Sequence, residues 1–192
     1  MIFLVIFMAV SSTAVKGERK LDKLDNELIV IETNRGKMVI GLFPDAAPKH
    51  VARFKKLTKE GFFNGIRFHR IIPNFMIQAG DPLSKDLSRK ARWGTGGYHE
   101  TLPAEFNTLK FNKGRVGAAR TNDPNSASSQ FFICVADSPF LNGKYTVFGE
   151  ILQGQDIADE ISKLPRDSRD VPKKDVIIEK MYLVPNTLKP SK

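Results

Sequence analysis

A mainly β fold, an eight-stranded antiparallel barrel closed on itself and capped by two α-helices, is what this sequence predicts. Three observations lead there. Eight short stretches rich in Ile, Val, Phe and Leu are separated by Gly, Pro and Asn turn signals. Only two stretches carry apolar residues at helical spacing. The 192 residues suit one compact domain with a substantial core and short appendages. Eight strands suffice for closure, which removes exposed sheet edges, and two amphipathic helices can cover the open ends.

The chain begins with an unbroken apolar run, Ile2 to Val10, followed by Ser11-Ser12-Thr13-Ala14. The run is too short to span a bilayer and suits the core of a secretory signal peptide, assigned to residues 1–17, with Ser12 and Ala14 at small-residue cleavage positions. No Lys or Arg precedes the run, a departure from the usual pattern, and a buried first strand is the competing reading. The expectation is an exported protein, periplasmic or secreted; an uncleaved leader acting as a membrane anchor is the alternative. Residues 18–27 are charged, lack apolar periodicity and read as a linker.

The domain proper is expected over residues 28–184. Leu28 to Thr33 and Lys37 to Leu42 read as strands joined by the turn Asn34-Arg35-Gly36. Pro48 opens a helix with Val51, Phe54 and Leu57 on one face, and Gly61 stops it. Strands follow around Phe68 to Ile72 and Met76 to Gln78; strict alternation in the first sends Arg70 and His69 to opposite faces. Asp81 to Phe111, rich in Gly, Pro and polar residues, reads as a long loop. Strands are expected again at Arg115 to Ala119, Gln130 to Val135 and Thr146 to Ile151. A second helix carries Ile157, Ile161 and Leu164 and ends before Pro165, and Val176 to Val184 is the last strand. Residues 185–192 form a polar tail.

A formal charge of +9 raises the question of nucleic acid. The basic residues are dispersed, and the local groups (Lys55-Lys56 with Lys59, Lys85 with Arg89-Lys90-Arg92, Lys173-Lys174) have no interleaved aromatics of the kind a single-strand groove needs. A solvated basic surface is the reading kept, and no nucleic-acid partner is expected. Cys134 is the only cysteine, which excludes an intramolecular disulfide; inside Phe131-Phe132-Ile133-Cys134-Val135 it reads as a buried small hydrophobe. The three histidines sit in no metal-ligand spacing, and neither metal nor cofactor is expected. Gly94-Thr95-Gly96-Gly97 lacks the Lys-Ser/Thr of a phosphate loop and reads as a turn.

Two stretches carry the functional signal: Phe68-His69-Arg70-Ile71-Ile72-Pro73-Asn74-Phe75-Met76-Ile77-Gln78-Ala79-Gly80-Asp81 and Ser129-Gln130-Phe131-Phe132-Ile133. Each sets one strong hydrogen-bonding side chain, Arg70 or Gln130, among large apolar residues with no nucleophile beside it. Arginine cannot give up its proton in a protein, so Arg70 can donate or polarise but cannot act as a base. Such a site suits a change of shape in which no covalent bond is broken.

Both stretches, in this order and separation, closely resemble the cyclophilins, the cyclosporin-binding family of peptidyl-prolyl cis-trans isomerases. The resemblance extends from about Leu28 to Val184 and implies the cyclophilin eight-stranded antiparallel barrel, isomerase activity on X–Pro bonds of folding proteins, and proline-containing peptides or unfolded chains as partners of a monomer. It implies Arg70 as the catalytic donor, with Phe75, Met76, Phe132 and Leu141 forming an apolar proline pocket. It further implies that Gln78 and Gln130 orient Arg70 and bond the substrate backbone, and that Arg120 and Thr121 lie along the peptide. Ala119-Arg120-Thr121 is similar to the bacterial form of a segment that is Ala-Asn in many eukaryotic members. Phe140 stands where many members carry a tryptophan associated with cyclosporin, which implies weaker drug binding, and Tyr145 stands where many have histidine. Leu83 to Trp93 is longer than the matching loop of short bacterial members; its basic residues are taken as solvated rather than as a partner site. The function expected is therefore catalysis of X–Pro rotation, with a proline-segment-binding chaperone or scaffold as the alternative.

Overall fold

The computed structural model describes residues 24–187. The expected leader and residues 18–23 of the linker lie outside them, as does the end of the polar tail.

Eight strands and two helices form, in the order expected: β1 (Glu27–Thr33), β2 (Gly36–Leu42), α1 (Pro48–Lys59), β3 (Arg70–Ile72), β4 (Met76–Ala79), β5 (Arg115–Ala118), β6 (Phe131–Cys134), β7 (Val147–Gln153), α2 (Gln155–Ser162) and β8 (Ile178–Pro185). All pairings are antiparallel, in the order β3-β4-β6-β5-β7-β2-β1-β8. The closed barrel is corrected by this order: β3 and β8 are edges, and the sheet is an eight-stranded half-barrel. The reason is local. β3 is only three residues long, and the chain before it pairs with the approach to β8 through the single bridge Arg67–Ile177. Phe68 N–H to the Val176 carbonyl (2.9 Å) and Ile178 N–H to the Ile66 carbonyl (2.8 Å) complete that seam without a regular ladder.

The inner face of the sheet is closed by both helices. Val51, Phe54 and Leu57 of α1, together with Ala158 and Ile161 of α2, join Ile29, Ile31, Ile40, Phe131, Ile133 and Phe148 in one buried cluster. Phe54 sits at the centre, 5.0 Å from the rings of both Phe131 and Phe148. α1 starts at Pro48, and its preceding residue, Ala47, has no capping side chain. Glu105, from the long loop, supplies the missing cap: its carboxylate accepts the backbone N–H groups of Lys49 (3.0 Å) and His50 (2.9 Å) and contacts His50 Nδ1 at 2.6 Å. Burial lowers the His50 pKa despite that carboxylate. Burial works to raise the Glu105 pKa, but the hydrogen bonds from His50 and the backbone N–H groups win and lower it.

The Asp81–Phe111 connection is less featureless than expected. It holds two 3-10 turns, Pro82–Lys85 and Leu87–Arg92, whose starts are capped by Asp81 (from Leu83 N–H, 2.8 Å) and Asp86 (from Ser88 N–H, 2.9 Å). Short Asx caps of this kind need no apolar periodicity, so hydrophobic patterning misses them.

Candidate active site

A second apolar cluster lies on the other face of the sheet, with Met76, Phe111, Phe132, Leu141 and Val147 among its buried members and Phe75 and Tyr145 packed against it. Strand parity explains it. Phe131 and Phe132 are adjacent in β6, so their side chains leave the sheet on opposite sides, one to each cluster. Gly117 of β5 pairs with Phe132, and a Cβ at Gly117 would strike the Phe132 ring and stand 2.7 Å from the Phe111 ring. Only a bare backbone lets these two rings stack at 5.5 Å over the strand.

Above this cluster opens a cleft of about 280 Å³. Its floor is Met76, Phe132 and Leu141, and its walls include Phe75, Tyr145 and the side chain of Arg70. Arg70 pairs directly with Gln78 across β3 and β4, which places both side chains on one face. Arg70 Nη1 donates to Gln78 Oε1 at 3.4 Å, a long bond that leaves most of the five guanidinium donors uncommitted. Gln78 Nε2 in turn donates to Gln130 Oε1 at 2.8 Å. Gln130 Nε2 reaches the Gly94 and Gly96 carbonyls at 3.0 and 2.6 Å, so the chain ends in rigid backbone. The Arg70 side chain is 42% exposed and its Nε lies 3.9 Å from Asp170. It stands at the mouth of the cleft with its charge directed across apolar walls.

Most residues expected at the site are gathered here, including Phe75, Met76, Gln78, Arg120, Phe132, Leu141 and Tyr145. Arg120 lies 4.3 Å over the Tyr145 ring and donates to the Lys144 carbonyl at 2.8 Å. Gln130 acts behind Gln78. Phe140, 59% exposed, leans on Phe75 at 5.3 Å on the outer rim. Thr121 is exposed beyond the cleft, its hydroxyl 2.8 Å from that of Ser126.

His69 does not follow the strict alternation expected of it. β3 begins only at Arg70, so strand parity does not apply at positions 68 and 69. Phe68 joins the inner core, while His69 lines the same cleft as Arg70. The imidazole is buried, makes no hydrogen bond through either nitrogen among the described residues, and is pushed down by that burial to a pKa of about 4. Reading the sequence also missed Trp93, Gly94, Arg169 and Val171, which three-dimensional loop packing alone brings to the cleft. Cys134 is buried as expected, and its thiol is pushed up to about 12, far from a nucleophile's range.

Residues 28–183 match the family described as cyclophilin type peptidyl-prolyl cis-trans isomerase/CLD. The chain is 46% identical over 161 residues to a probable peptidyl-prolyl cis-trans isomerase of Brucella suis, covering 82% of this chain and 81% of that one. To peptidyl-prolyl cis-trans isomerase B of Escherichia coli it is 39% identical over 167 residues, covering 79% of this chain and 96% of the relative. The fold superposes with a TM-score of 0.74 on the crystal structure of a Cryptosporidium parvum cyclophilin-type isomerase in the presence of the dipeptide Ala-Pro. The two share 30% identity, with 83% of this chain and 99% of that one covered.

Proposed function

The chain belongs to the cyclophilin-type peptidyl-prolyl cis-trans isomerases and is an enzyme of that activity, and we propose that Arg70 supplies its catalysis by donating to the proline nitrogen of a twisted X–Pro amide. The peptide bond resists rotation because resonance stiffens its C–N bond, with a barrier of roughly 18–20 kcal/mol. For X–Pro the two isomers differ by only about 0.5–1 kcal/mol, so the difficulty is kinetic. At the barrier top resonance is lost and the proline nitrogen gains a localised lone pair. A donor aimed at that nitrogen binds the twisted state more strongly than the planar one, which lowers the barrier. The floor of Met76, Phe132 and Leu141 suits the pyrrolidine ring and disfavours the charge-separated form of the planar amide.

The observation that carries this reading is the guanidinium of Arg70 standing beside the apolar floor, tethered through Gln78 and Gln130 to the Gly94 and Gly96 carbonyls. Gln78 and Gln130 are assigned to orienting Arg70, and Arg120 and Thr121 to the extended backbone of the substrate. Phe140 offers an exposed rim in place of a larger indole, which supports weak cyclosporin binding. The clients are taken to be exported proteins, on the strength of the apolar run Ile2 to Val10; mass spectrometry of the N-terminus from fractionated cells tests that assignment.

The test of mechanism is the isomerisation rate of a proline peptide, followed by NMR exchange, in wild type and Arg70→Ala. Loss of one preorganised donor is expected to cost on the order of 10²–10³ in kcat/KM with the fold intact. Equal rates with peptide binding retained would turn the reading towards a proline-binding scaffold.

A further inference from the structure

Arg169 is remote in sequence from both motifs, yet it lines the same cleft as Arg70, beside Trp93 and Val171. Its guanidinium is held from below by backbone of the 3-10 turn Leu87–Arg92, donating to the Ala91 carbonyl at 3.1 Å and the Lys90 carbonyl at 3.3 Å. That turn is anchored by Trp93, a buried ring whose Nε1 donates to the Asp86 carbonyl at 3.1 Å and which lies 5.6 Å from the Arg67 guanidinium. The backbone of Arg169 is pinned as well, since Asp167 accepts its N–H at 2.8 Å and that of Val171 at 3.0 Å. Arg169 is therefore ordered before any peptide arrives, which lowers the entropy cost of using it. The long basic segment gains a role here: it is the shelf on which this side chain rests.

The charge balance gives the shelf its meaning. Three guanidinium groups, those of Arg70, Arg120 and Arg169, line the cleft, and no Asp or Glu among the described residues does. The carboxylates around it are already engaged: Asp170 pairs with Arg166 at 2.9 Å and faces Arg70 at 3.9 Å, Asp81 accepts the Gly94 N–H, and Asp167 caps its own loop. Arg120 is committed to the Thr121, Asn122 and Lys144 carbonyls and to the Tyr145 ring. Arg169 is exposed and donates to two neutral carbonyls rather than to a carboxylate, so it is the cation best placed to meet an acidic partner.

We propose that Arg169 is a specificity-determining residue, which makes the enzyme prefer proline segments carrying an acidic side chain close to the X–Pro bond. The inference rests on the isomerase reading above and names the class of sequence that the site selects. An exposed charge pair is worth up to a factor of about five in affinity and weakens with added salt.

The experiment compares peptides that differ only in bearing Glu or Lys at one of the three positions on either side of X–Pro. NMR exchange gives the Glu/Lys ratio of kcat/KM for each position. Wild type is expected to favour Glu by about fivefold at one or two positions, with the ratio falling towards one at high salt. Arg169→Ala should abolish the preference there, Arg169→Glu should invert it, and Arg169→Lys should restore part of it. Lys110→Glu, an equal change of net charge at an exposed site, should leave the ratio as in wild type. A ratio near one at every position, or a preference unchanged in Arg169→Glu, would overturn this inference alone. A wild type inactive on every peptide would remove the isomerase reading and this inference with it.

Discussion

Phe131, on the inner face of the sheet, meets Phe54, Phe63 and Phe68 at 5.0, 5.8 and 6.4 Å beneath the two helices. Phe132, one residue on, stacks against Phe111 at 5.5 Å and meets Tyr145 at 6.0 Å with no helix above it. Both faces are built from the same residue types and both rings are buried. What differs is the layer on top. A sheet face covered by helices completes a core, whereas the uncovered face keeps an apolar floor open to a ligand. Here the cleft exists because no α-helix covers this face of β4, β5 and β6; loops supply its rim and, through Leu141, part of its floor.

The sharpest way to break this comparison is to truncate each ring in turn. Phe131→Ala leaves a void among residues that cannot collapse and is expected to cost about 3–5 kcal/mol of stability, read from urea unfolding. The fraction that stays folded should turn over substrate nearly as wild type does. Phe132→Ala should reverse the pattern, with a smaller loss of stability and at least a tenfold loss of kcat/KM on a proline peptide (an estimate based on losing one apolar side chain from the pocket). If the two variants lost stability and activity in parallel, the division between the faces would be wrong.

His69 belongs to the cleft face but is buried like a core residue, and acid exposes that conflict. Its folded-state pKa of about 4 lies below the ordinary value of 6.5, so folding favours the neutral ring. The resulting stability is fully present above pH 6.5 and is lost as the pH falls towards 4. By pH 5 the loss is about 2 kcal/mol, from a shift worth 1.36 kcal/mol per unit. His50, also lowered by burial, adds to the loss in the same direction. His69→Gln should flatten the fall in urea midpoint between pH 7 and pH 5; a variant as acid-sensitive as wild type would place the cause elsewhere.

Gly117 shapes the cleft face alone, because a side chain there would enter the Phe132 and Phe111 stack. Gly117→Ala is expected to cost about 1–3 kcal/mol through overpacking and to raise KM more than it lowers kcat, since the pocket floor tilts while Arg70 stays in place. Unchanged KM would show that the floor's shape does not govern binding.

The contrast between the faces also explains what could be read from the sequence. The eight strands and both helices were legible because each buries a patterned face, as Val51, Phe54 and Leu57 do in α1. Arg70, Gln78 and Phe132 were legible because they lie within two contiguous motifs. Closure of the barrel was not, since it depended on whether residues 65–68 and 176–178 formed a ladder or one bridge, and no side-chain pattern decides that. His69 was misplaced because alternation was applied one residue before the strand begins. Trp93 and Arg169 were out of reach, as the two loops meet through Arg169 side-chain bonds to carbonyls 78 and 79 residues away, which no side-chain pattern announces.

The smallest effect expected is none at all, and it bears directly on the chemistry of the cleft. A donor that never deprotonates and a histidine already neutral leave nothing in the cleft to titrate near neutrality. The kcat/KM of wild type should therefore stay level from about pH 6 to 8. That level should persist in His69→Gln, because the ring contributes packing to the wall and no proton to the reaction. The measurement is peptide exchange by NMR across that range at constant ionic strength, with unfolding checked at each point. A limb that rose or fell within the range and vanished in His69→Gln would make the imidazole a participant. The barrier would then be lowered by proton transfer, and the shape-change mechanism assigned to Arg70 would have to be given up.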